Sequence, residues 1–219
     1  MTANSSSPGL NRARLAQGVA GLIVGGGLGY LLGRLIKQGH IDVSDLTWSD
    51  NVAVLIAVML FVAGAILVLA SFSKRLAARV IDPASERPAR PAQIIFYRQQ
   101  AIVLALSGVM MAAPVLARLL YQPLSGHLAG AVMAAIVGLF LLQTLLNLSV
   151  WNRADEMIRQ TVAEAGAVCF WLLQGALFLW AAAEKLELVP ALSAWDMMTI
   201  LMGAYLVIST VISVRRGLT

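Results

Sequence analysis

Residues 18–34 read GVAGLIVGGGLGYLLGR, with the glycine density of a phosphate-binding loop. A dinucleotide fingerprint needs G-x-G-x-x-G between a strand and a helix, so that the backbone turns and bares its N–H groups to phosphate. Gly27 and Gly29 supply the first pair, but Leu32 stands where the third glycine belongs, and no strand pattern precedes it. What recurs is Gly21, Gly25, Gly29 and Gly33, each four apart. On a helix that spacing makes one smooth groove, and small residues let a neighbouring helix approach closely in lipid. The stretch is predicted to be a membrane-spanning helix.

Composition extends that conclusion to the whole chain. Of 219 residues, 59% are hydrophobic and 12% charged, with mean hydropathy +0.81. A soluble domain carries about 25% charged residues, so most of this surface must face something other than water. The class is all-α and polytopic: six transmembrane helices arranged as three hairpins. A bilayer core needs about 20 apolar residues per helix, and six runs qualify: 15–36, 52–72, 101–121, 127–150, 162–183 and 197–214. Residues 1–14 form an N-terminal tail and 15–219 one transmembrane domain with a loop at 74–100. The basic start followed by an apolar run resembles a secretory signal, but no A-x-A-like site follows, and retention as the first span is expected.

Lysine and arginine set the expected topology. Arg12, Arg14, Lys74, Arg75, Arg79, Arg87, Arg90, Arg98, Arg153, Arg159, Arg215 and Arg216 fall on one side; Arg34, Lys37, Arg118 and Lys185 fall on the other. That asymmetry predicts both termini in the cytoplasm of a bacterial inner membrane. It also accounts for the net charge of +5 without direct nucleic-acid binding, the lipid bilayer being the expected partner.

A second small-residue stripe runs through Gly126, Gly130, Ala134 and Gly138. The two stripes are expected to pack helices together, within one molecule or across a homodimer. The stretches DVSDLTWSDN (42–51) and LVPALSAWDM (188–197) each place a tryptophan one or two residues before an aspartate that opens a helix. Trp48 and Trp195 suit the headgroup belt, while Asp50 and Asp196 suit helix N-termini. Distant duplication and convergence on the same anchored start both account for the likeness.

Chemistry-bearing residues are few. No span has a charge near its centre; its polar residues are Gln143, Thr144, Asn147 and Gln174. Gln143 and Asn147 lie one turn apart and are expected to bond across to Gln174, as glue between helices or as the lining for a neutral solute. His40 and His127 have no metal-ligand spacing to Cys, Asp or Glu, and no H-E-x-x-H, P-loop or G-x-S-x-G occurs. No metal, cofactor or catalytic activity is expected. Cys169, inside an apolar run, is expected to pack rather than react.

The densest cytoplasmic charge outside the loop is WNRADEMIRQTVAEAG, 151–166. Asn152 is expected to cap the fifth helix, with Asp155 as the acid three residues on. Asp155 with Arg159, and Gln160 with Glu164, are expected i,i+4 pairs. The helix would then project into the cytosol and present Asp155, Glu156 and Arg159, as a solvated helix start or as a recognition surface.

The stretch D-E-M-x-R-x-x-x-x-E-A, Asp155 to Ala165, resembles a D-E-R-x-x-x-I-x-x-x-A-like stretch before a helical hairpin in several largely uncharacterised families of small bacterial membrane proteins. It departs at Met157, where arginine is usual, and at Thr161, where an aliphatic is. Some members look to be encoded beside small helix-turn-helix regulators and to restrain them at the membrane. The resemblance implies a non-enzymatic regulatory or scaffolding protein with a cytosolic DNA-binding regulator as partner. Its contact residues would be Asp155, Glu156 and Arg159, with Lys74, Arg75 and Arg79 as a second face. The alternatives from the residues themselves are a transporter or channel for a neutral or lipophilic solute, or an accessory subunit of a membrane complex.

Overall fold

The computed structural model describes residue 34 and residues 46–73, 91–121 and 123–216. They form five α-helices and no strand: α1 (Trp48–Ser71), α2 (Pro91–Leu120), α3 (Gly126–Arg153), α4 (Glu156–Lys185) and α5 (Ala194–Arg215). Each is long and apolar enough to cross a membrane. The span expected at 15–36, its glycines Gly21, Gly25, Gly29 and Gly33, His40, and the basic residues Lys74, Arg75 and Arg79 lie outside the described residues.

The tightest contact joins α1 to α2. Ala53, Ile56, Ala57, Leu60 and Met111 form its buried core, with Leu104, Ala112, Trp195, Met202 and Leu206 packed around it. Gly64 and Gly108 make the approach possible. A Cβ on Gly64 would stand 2.6 Å from the Ala101 carbonyl oxygen, and one on Gly108 2.6 Å from that of Ala57. The two helices therefore touch backbone to backbone, running antiparallel. This seam joins the second and third expected spans, so close packing also runs between neighbouring hairpins.

The remaining helices pack more loosely. α3 lies antiparallel to α2, where Gln99 Nε2 donates to Ser149 Oγ at 3.2 Å. None of the apolar window of α3 is buried. α4 and α5 form an antiparallel pair, with Thr161, Ala165 and Cys169 the buried stripe of α4; Cys169 packs as expected. α5 also runs parallel to α1, the Gly203 position lying 3.6 Å from Ile56 Cδ1.

Two boundaries differ from the sequence expectation. α2 begins at Pro91, ten residues before the apolar run, so the later part of the 74–100 loop is helix. Proline suits a first helical turn, where its missing N–H has no partner to lose. α3 runs to Arg153, so Asn152 lies in the last turn of α3 rather than capping α4.

Candidate functional site

The α3–α4 corner is built from two helix ends that satisfy each other. α3 ends when Ala154 turns to an extended conformation, its N–H still donating to the Val150 carbonyl at 2.9 Å. Asp155 follows directly as the N-cap of α4, its Oδ1 accepting from the Ile158 N–H at 2.8 Å. The last carbonyls of a helix have no partner inside it. Arg159, one turn into α4, reaches back to two of them: Nε donates to Trp151 O at 3.2 Å and Nη2 to Asn152 O at 3.4 Å. A guanidinium at the negative end of the α3 dipole is stabilising in its own right.

The expected Asp155–Arg159 side-chain pair is thus not formed. Each residue serves the backbone of a different helix end, which competes successfully with an exposed ion pair worth only ~0.3–0.5 kcal/mol. Of the three expected contact residues, Glu156 alone stands exposed with no side-chain partner among the described residues. Trp151, in the last turn of α3, and Met157, next to Glu156 in sequence on α4, are also exposed.

The second expected pair is replaced as well. Glu164 takes Arg216, beyond the end of α5, instead of Gln160. Arg216 Nη1 also donates to Thr161 Oγ1 at 3.3 Å, and the Thr161 hydroxyl donates to Met157 O at 2.7 Å. Sequence reasoning counted Arg216 only as a topology charge. The Thr161 hydroxyl thus receives the clamp from the end of α5.

At the opposite end, α1 and α5 start side by side. The N-caps are Thr47 and Ser193, each three residues before the aspartate expected to cap, and Asp50 and Asp196 close the capping boxes. Asp50 Oδ2 accepts from the Thr47 N–H at 3.0 Å, and Asp196 Oδ2 from the Ser193 N–H at 2.8 Å. Buried Ser49 stands between the two boxes: its hydroxyl lies 2.9 Å from Thr47 Oγ1 and faces the Asp196 carboxylate. The two tryptophans separate in role. Trp48 stays outward, while Trp195 packs against the α1–α2 core.

Gln143, Asn147 and Gln174 are not brought together. Gln143 and Asn147 sit on α3 and Gln174 on an exposed face of α4, and the expected bonds between them are absent among the described residues. Gly126, Gly130, Ala134 and Gly138 are exposed along α3, and a Cβ on any of the three glycines would meet no described atom within 4 Å. The described residues hold no group of three His, Cys, Asp or Glu side chains at metal-binding distance. Among protein-family models, curated proteins and solved structures, none matches this chain.

Proposed function

We propose that the chain is a non-enzymatic scaffold of a bacterial inner membrane, with six spans and both termini cytoplasmic, that holds a cytosolic DNA-binding regulator against the α3–α4 corner. The observation that supports this most is the Arg159 cap. Two helix ends are locked by Asp155 and Arg159, so the exposed Trp151, Glu156 and Met157 are displayed on a preorganised corner. Preorganisation lowers the ordering cost of binding, and an exposed tryptophan is a common interface anchor.

Transport of a neutral solute is less well supported, because Gln143 and Asn147 share no face or described cavity with Gln174. The test is a tagged pull-down from native membranes in mild detergent. A small DNA-binding protein retained by the wild type and lost from a Trp151→Ala, Glu156→Lys variant of unchanged thermal stability is the expected result. Equal retention by both, or no such protein with either, overturns the proposal.

A further inference from the structure

Gln174 sits near the middle of α4 on the side away from its packing stripe. From the stripe centred on Ala165, nine residues at about 100° each place it about 180° round the helix. Its neighbours on that side are also bare: Trp171 is 81% and Phe178 72% exposed, and a Cβ on Gly175 would meet no described atom within 4 Å. Together these four residues line a shallow concavity of about 340 Å³. In a bilayer this face meets hydrocarbon, where an unpaired carboxamide is costly and lipid tails offer it no partner.

We infer that this face of α4 is the interface for a second copy of the chain, with the two Gln174 carboxamides bonded to each other across a two-fold axis. A carboxamide both donates and accepts, so it is self-complementary. A two-fold axis along the membrane normal puts the same residue of both copies at the same depth. The chain itself offers little else at that depth. The expected first span has one polar side chain between residues 18 and 33, Tyr30, and it lies away from the centre. Gly175 beside Gln174 gives the partner backbone room to approach, and Trp171 and Phe178, one turn to either side, frame the contact.

The test is the monomer–dimer equilibrium in liposomes, read by single-molecule photobleaching over a range of protein densities. Gln174→Leu keeps the apolar face and removes the amide; it should raise the dimer dissociation constant about tenfold, with Gln174→Asn recovering part of the loss. Unchanged thermal unfolding of the monomer in detergent keeps a folding defect from imitating this result. In a Cys169→Ala background, Phe178→Cys should cross-link two copies and Phe140→Cys on α3 should not. Monomer at every density, a dimer indifferent to Gln174→Leu, or cross-linking from Phe140→Cys in place of Phe178→Cys would each overturn the assignment.

Discussion

Gly64 on α1 and Gly108 on α2 are reciprocal: each presses against the backbone of the helix that carries the other. The missing Cβ of Gly64 would meet Ala101 O and Ala105 N at 2.6 and 2.7 Å, and that of Gly108 would meet Ala57 O and Phe61 N at 2.6 and 2.9 Å. Backbone atoms at those distances can yield only if the helices separate, and separation would open the core of Ala53, Ile56, Ala57 and Leu60.

Gly64→Ala and Gly108→Ala should therefore each destabilise the protein by about 1–3 kcal/mol, the usual cost of overpacking. Gly130→Ala and Gly138→Ala, in open positions, should be neutral or gain about 0.5–1 kcal/mol from helix propensity. Thermal unfolding of the four variants in one detergent compares them. If the α3 variants were the damaging pair, α3 and not the α1–α2 seam would carry the tight packing.

Ser49 on α1 and Asp196 on α5 face each other where both helices start. Ser49→Ala and Asp196→Asn should each lower stability, and their double mutant should lose less than the sum. Non-additivity in that cycle is the expected sign that the two side chains interact across the helix starts. Strict additivity in that cycle would mean that Asp196 serves only its own capping box.

Membrane class and the spans from 52 to 214 were legible because a hydrocarbon solvent demands long apolar runs, whichever residues supply them. Packing partners were not, because small-residue stripes say which helix faces can approach and not which faces do. Gly126, Gly130, Ala134 and Gly138 form the more regular stripe, yet the contact uses Ala53, Ala57 and Gly64 against Ala101, Ala105 and Gly108. That signal, small residues at spacings of three, four and seven on two spans, was present in the sequence. At the α3–α4 corner the charged residues were found, but their partners were misassigned. Local pairing rules weigh side chain against side chain, whereas Arg159 answers carbonyls of the preceding helix and Glu164 answers Arg216, 52 positions away.

Arg159→Ala should cost about 1 kcal/mol of stability, since it uncovers the Asn152 carbonyl, leaves the Trp151 carbonyl with the Ala154 N–H alone, and removes a favourable charge from the α3 dipole. Asp155→Ala should cost a similar ~1 kcal/mol through the lost N-cap. Glu156→Ala, with no partner among the described residues, should leave thermal unfolding unchanged. Arg159→Lys should restore only part of the loss, because an ammonium cannot match the two-pronged guanidinium. A large effect from Glu156→Ala would reverse the roles assigned to these residues.

Glu187 offers a substitution expected to stabilise. It follows the C-cap of α4 with φ of 58°, the left-handed conformation that glycine adopts without steric cost. Around it the Leu188 N–H donates to Ala183 O at 2.9 Å and the Glu187 N–H to Glu184 O at 3.0 Å, the paired bonds of a Schellman motif. Any side chain with a Cβ is strained at that position by about 1 kcal/mol or more, while glycine adds entropy to the unfolded chain. The strain is the larger effect, so Glu187→Gly should raise stability by about 0.5–1 kcal/mol, seen as a higher midpoint of thermal unfolding. Glu187→Ala should not, because it keeps the Cβ. If Glu187→Gly instead lowered the midpoint, the Glu187 side chain would have to make a stabilising contact that outweighs the strain of its backbone.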